Sequence, residues 1–122
     1  MPEPEPADEP AARYDALAGG YARHWGPVIQ PAAIALLDRL DGQPARGTRV
    51  LDLGTGTGTL AVEALARWPW LRVTGVDPSR PMLDLAEAAV TRAVVAGAVA
   101  PGEQPGPPFT AVAAFADELP FE

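Results

Sequence analysis

The stretch Val50–Leu65, VLDLGTGTGTLAVEAL, constrains the fold more than any other part of the chain. A short run rich in Val and Leu meets three glycines at alternate positions, Gly54, Gly56 and Gly58, and a helical pattern follows. A brief apolar run bounded by turn residues suits a buried strand. Glycines after it let the backbone turn tightly and approach a ligand closely. A strand that enters a helix through such a turn is the opening unit of a parallel α/β sheet. Asp52 sits among the apolar residues just ahead of the first glycine, and an acid in that place needs a chemical reason.

The same alternation continues down the chain. Arg49–Leu53 reads as strand 1, and Thr59–Arg67 as a helix that Pro69 ends. Arg72–Val76 reads as strand 2. Ser79 is placed to cap the next helix, with Pro81 and Asp84 in its first turn. That helix is expected to run to about Ala96 and to stop at Gly97. A Gly/Pro-rich loop leads to strand 3, Thr110–Ala114. Upstream, Ala11–His24 has helical spacing interrupted at Gly19 and Gly20, and Pro31–Leu40 reads as a second helix that Gly42 and Pro44 close. Residues 1–10 are acidic and Pro-rich and read as a disordered tail, leaving 11–122 as the folded part. Strand, helix, strand, helix, strand predicts right-handed crossovers and an open parallel sheet. Ligands of such sheets bind outside the carboxyl ends of the strands. Asp52 with its glycine loop, Asp77, and the segment Phe115–Pro120 all fall there.

Composition narrows the partner. With 122 residues the chain is one domain at most. Its net charge of −7 argues against a nucleic-acid or anionic-membrane surface. No apolar run approaches the roughly 20 residues of a membrane helix, and the acidic start is unlike a signal peptide, so a cytoplasmic location is the default expectation. There is no cysteine, which removes disulfides, thiolate metal sites and cysteine nucleophiles. Every basic side chain is arginine. Without lysine, a Walker-type phosphate loop and a Schiff-base mechanism are both excluded.

Two cofactor chemistries remain for the loop. A dinucleotide fingerprint reads G-x-G-x-x-G. Gly54 and Gly56 fit it, but Thr59 occupies the third position and the glycine comes one residue early, at Gly58. Asp52 would also repel a pyrophosphate lying over the turn. S-adenosylmethionine has no phosphate and presents an ammonium and a sulfonium, so an acid beside the loop becomes an asset. Asp77, at the end of strand 2, suits a pair of ribose hydroxyls, because a carboxylate accepts both hydrogen bonds.

VLDLGTGTG, VTGVDPSRPML and FADELPFE, in that order, resemble the first three motifs of class I S-adenosylmethionine-dependent methyltransferases. The order and spacing are similar to the small-molecule branch that includes ubiquinone/menaquinone-type C-methyltransferases. RYDALAGGYARHW is similar to the helix that precedes the first motif in that branch. The resemblance covers residues 13–122. It implies a Rossmann-like α/β fold and S-adenosyl-L-methionine as cofactor. By resemblance, Asp52 lies near the cofactor's amino group, and Gly54, Gly56 and Gly58 lie under its methionine portion. Asp77 is the ribose acid, and Met82 packs against the adenine face. The third motif departs from the family pattern: Phe115 stands where the family often has an adenine-reading Asp, so Ala116 and Asp117 are the candidates for that task.

The resemblance also implies strands beyond the third, with a fourth pairing to strand 1. The chain is therefore expected to be a methyltransferase's amino-terminal part, truncated after strand 3, with strand 1 as an open apolar edge prone to self-association. The expected partner is a small-molecule methyl acceptor, whose identity is not readable, and the isolated chain is expected to bind the cofactor weakly. No catalytic residue and no metal ligand stands out. His24, the single histidine, reads as a surface or packing residue, and Tyr14 and Tyr21 as core or as pocket lining. Plainer roles compete at several positions: a dipole-favoured helix acid for Asp77, core packing for Met82, a solvated turn for Asp117. The rival functions are an NAD(P)-dependent oxidoreductase and a non-catalytic α/β module that pairs with another subunit.

Overall fold

A computed structural model describes residues 9–40, 42–102 and 105–121. The elements are α1 (Glu9–Asp38), β1 (Arg49–Leu53), α2 (Thr59–Arg67), β2 (Arg72–Asp77), α3 (Arg80–Val95) and β3 (Phe109–Ala113). The strands form one parallel sheet in the order β1-β2-β3, so β2 is central and β1 is an edge. Both crossovers step in the same direction along the sheet. The right-handed rule then puts α2 and α3 on the same face.

Register shows which face that is. Val50, Val73 and Phe109 are directly aligned across the three strands. They pack with Ala61, Ala64 and Leu65 of α2 and Ala86 and Val90 of α3 in one apolar cluster. Alternation sends the neighbouring row to the opposite face. Leu51 and Leu53, on that opposite face of β1, are about half exposed. The covered face is tight at β2. A Cβ on Gly75 would lie 2.6 Å from the Phe109 ring and 2.8 Å from the Thr55 methyl, so glycine is the residue that lets both groups lie against the strand.

Local signals act largely as the sequence predicts. Ser79 caps α3, its hydroxyl accepting from Met82 N–H at 3.3 Å. Gly97, at φ 79°, follows the α3 C-cap. Trp68 caps α2 just before Pro69. Three expectations need correction. Asp84 lies beyond the first turn of α3, where it pairs with Arg80 at 3.0 Å. Strand 3 begins one residue earlier than expected, because Val73 N–H bonds to the Pro108 carbonyl and draws Phe109 into the ladder. The two expected amino-terminal helices are a single helix of 30 residues, about 45 Å long. Pro27 and Pro31 lie inside it, each lacking one backbone donor. Packing of its carboxyl half holds it together: Ala33 and Leu37 are buried, Gln30 bonds Glu63 at 2.8 Å, and Asp38 pairs with Arg67 at 2.7 Å, both on α2. The helix also takes in Glu9 and Pro10 of the predicted tail. The rest of that tail, and the side chains of Tyr14 and Tyr21, lie outside the described residues.

Candidate functional site

The glycine loop is built by the end of β2. Gly54 and Thr55 both donate their N–H to the Val76 carbonyl, at 2.8 and 2.9 Å. Gly58 N–H donates to the Thr55 carbonyl at 3.0 Å, closing the turn. Gly54, Gly56 and Gly58 all have positive φ, at 71°, 54° and 83°, a region other residues enter only with strain. Gly58 has a second reason to be glycine. A Cβ there would sit 3.0 Å from Ala86, where α3 passes the start of α2.

Asp77 is 8% exposed and ties two elements together. Its Oδ2 accepts from Gly56 N–H at 3.0 Å, and its Oδ1 accepts from Ser79 N–H at 3.0 Å. One carboxylate thus fixes both the glycine loop and the start of α3. Each oxygen keeps a lone pair for a further donor. Asp52 lies on the other side of the loop and is half-buried. The Thr55 hydroxyl donates to its Oδ2 at 2.9 Å. Burial holds the Asp52 carboxyl above the ordinary carboxylate range; the Thr55 hydrogen bond opposes that rise, and the negative charge of Asp77 adds to it.

Asp52, Gly54, Thr55 and Gly56 line a cleft of about 270 Å³ whose opposite wall is α1, through Ile29, Ala32, Ala33 and Leu36. Among the described residues no basic side chain lines it, and Asp52 is the single titratable group. Such a surface repels phosphate and attracts a cation. Among the described residues no group of three His, Asp or Glu side chains could hold a metal ion, and no helix is long and apolar enough to cross a membrane.

The structure brings Asp52, the three glycines and Asp77 together at one edge of the sheet. Ala114 N–H donates to the Asp77 carbonyl at 3.2 Å, which brings the β3 exit to the same edge. There Phe115–Glu118 form an exposed turn closed by Glu118 N–H to the Phe115 carbonyl at 3.0 Å; it carries Ala116 and Asp117. Met82 is not brought to the cleft. It is 2% exposed, in the first turn of α3. His24 is exposed. Sequence reasoning missed Thr55 and the α1 wall. A hydroxyl three residues after an acid, inside a turn, was the available signal for Thr55. The wall had none, because its contact depends on how α1 packs.

The chain is similar to trans-aconitate 2-methyltransferase of Streptomyces coelicolor, at 38% identity over 86 residues, 70% of this chain and 25% of that protein. It is also similar to malonyl-[acyl-carrier protein] O-methyltransferase of Acetivibrio thermocellus, at 38% over 76 residues, 62% of this chain and 24% of that one. The chain thus spans about a quarter of the length of these relatives. Among solved structures it is similar to coclaurine N-methyltransferase bound to N-methylheliamine and S-adenosylhomocysteine. That match has 27% identity and a TM-score of 0.51, and covers 68% of this chain and 22% of the other. The family model described as a methyltransferase domain matches residues 50–122, which hold the glycine loop, Asp52, Asp77 and all of the three strands except Arg49. These matches disfavour the oxidoreductase and structural-module readings: with a parallel sheet, a glycine loop between two acids and this family match, the chain belongs to the methyltransferase domain family.

Proposed function

We propose that this chain is the cofactor-binding part of an S-adenosylmethionine-dependent methyltransferase acting on a small-molecule acceptor. The observation that carries this reading is the pair of carboxylates flanking the glycine loop, beside a cleft that no basic side chain lines among the described residues. That donor set fits a cationic, phosphate-free cofactor and not a dinucleotide. The solved complex of coclaurine N-methyltransferase, which holds S-adenosylhomocysteine, supports it.

In this reading Asp52 attracts the cofactor's ammonium. Gly54, Gly56 and Gly58 let the backbone come close beneath the methionine portion. Asp77 accepts from ribose hydroxyls while keeping its bonds to Gly56 and Ser79. Ala116 and Asp117, on the exposed turn after β3, form the adenine end, with Met82 packed in the core beneath the start of α3. Ile29, Ala32 and Leu36 of α1 exclude water from the cleft. When bound, the cofactor supplies a methyl group activated on sulfonium. Positioning an acceptor in line with it contributes up to about 7–11 kcal/mol in favourable cases, so no dedicated base is required of these residues. One relative is named for trans-aconitate and another for malonyl-[acyl-carrier protein]; the first of these favours a small-molecule acceptor.

The open β1 edge and the half-exposed Leu51 and Leu53 favour self-association of the isolated chain. Calorimetry with S-adenosylmethionine and with NADH tests the main reading. Binding of the former, weakened by Asp52→Ala, is expected. Binding of NADH alone, or of both with no effect of Asp52→Ala, would overturn it.

A further inference from the structure

Thr55 is buried at 7% exposure, whereas its loop neighbour Thr57 is half-buried. Three contacts seat it. Its N–H donates to the Val76 carbonyl, its carbonyl accepts from Gly58 N–H, and its methyl lies over Gly75 in the space that a side chain there would fill. With backbone and methyl held, the hydroxyl has one direction left, and it donates to Asp52 Oδ2 at 2.9 Å. Gly75 lies directly across from Asp52 in the β1–β2 register. The missing side chain on one strand therefore makes room for the group that holds the carboxylate on the other.

We propose that Thr55 is a positioning residue: its hydroxyl keeps the Asp52 carboxylate ionised and aimed at the glycine-loop cleft, and so sets how far the pH can fall before a cationic group is released. Among the described residues around Asp52, Thr55 is the one side chain that favours the charged form. Asp77, across the loop, opposes ionisation. From α1 the described facing residues are Ile29, Ala32, Ala33, Leu36 and, on the lower side, Leu37, with Leu40 just beyond the helix. From α2 they are Thr59, Leu60, Ala61 and Ala64; none of these titrates. A hydrogen bond donated to a carboxylate stabilises it more than it stabilises the neutral acid. Without Thr55, Asp52 takes up its proton at a higher pH.

The Asp52 half of this proposal needs no ligand, while the ligand half rests on the cofactor reading. Carboxyl carbon NMR titration of Asp52 in the cofactor-free chain tests the first. Thr55→Val keeps the shape and removes the hydroxyl; Thr55→Ala, which inserts nothing into the seat, is measured beside it. Both are expected to move the Asp52 midpoint upward, and Thr55→Ser to return it. Equal midpoints in the wild type and in either hydroxyl-free variant that folds would overturn the proposal. Calorimetric titration with S-adenosylmethionine across acidic to neutral pH tests the second half. Thr55→Val is expected to bind roughly tenfold more weakly at the acidic end, the gap closing as pH rises. A loss that is uniform with pH would mean a purely structural role and overturn this half. A shifted midpoint with no wild-type binding at any pH would support the Thr55–Asp52 linkage and overturn the cofactor reading instead.

Discussion

β1 and β2 are written almost alike and live very differently. Each opens with Arg-Val and each contains one aspartate, RVLDL against RVTGVD. β2 is hydrogen-bonded on both sides, and four of its six residues are buried. β1 is bonded on one side and has no fully buried residue. The aspartates follow suit. Asp77 is enclosed and receives two backbone N–H groups. Asp52 is half-buried and receives one hydroxyl. A near-identical pattern thus yields a structural clamp in the centre of the sheet and a more open charge at its edge. Place in the sheet, and not strand composition, makes the difference.

Substitutions that treat the two strands alike should expose that difference. The largest effect is expected from Asp77→Ala, which orphans the Gly56 and Ser79 donors in a buried site. About 1–3 kcal/mol per donor predicts a loss of about 2–6 kcal/mol by urea denaturation. A loss under about 1 kcal/mol would mean that the clamp is not structural. Gly75→Ala comes next. Its added methyl meets Phe109 and Thr55 at less than 3 Å, and overpacking of this kind costs about 1–3 kcal/mol. Full stability retained would show that the covered face has slack.

Asp52→Asn should act in the opposite direction. Its carboxyl is raised in the folded chain by burial first and by Asp77, so the native state binds that proton more tightly than the unfolded state does. Ionising Asp52 therefore draws stability down as pH rises from the ordinary value of 3.8 through the higher folded midpoint. The asparagine variant is expected to melt at a higher temperature than wild type at neutral pH and at the same temperature below pH 3.8. Its binding of S-adenosylmethionine should nevertheless fall by roughly tenfold or more. A gain that persists at low pH would point to a cause other than the charge. The smallest effect on stability belongs to Leu51→Lys, on the uncovered row of β1. Unfolding energy within about 0.5 kcal/mol of wild type is expected, together with less self-association in sedimentation velocity. Unchanged association would remove the β1 edge from consideration.

Much of the sheet was legible because its signals are short-range. The apolar run into Gly54, Ser79 as a cap and Gly97 as a stop each act within a few residues. The single helix α1 was not legible. Pro27 and Pro31 argue locally for a break, and the contacts of Gln30, Leu37 and Asp38 with distant partners override them. In the site, the glycines and both acids could be read from pattern and resemblance. The bond from Gly56 to Asp77, across 21 residues, could not. Nor could sequence choose between core packing and an adenine wall for Met82, which the start of α3 turns inward.

The sequence by itself determined that this chain forms a parallel α/β sheet with a glycine loop and two acids at one edge, because periodicity, turn chemistry and the right-handed crossover are properties of the chain's own covalent geometry. Tertiary structure alone decided which acid is clamped and which stays open, that Gly75 makes room for Thr55, and that Thr55 then reaches Asp52. Those outcomes depend on which strand lies in the middle of the sheet and on the seat that Gly75 of β2 leaves for the Thr55 methyl, which fixes a hydroxyl already close to Asp52 in sequence.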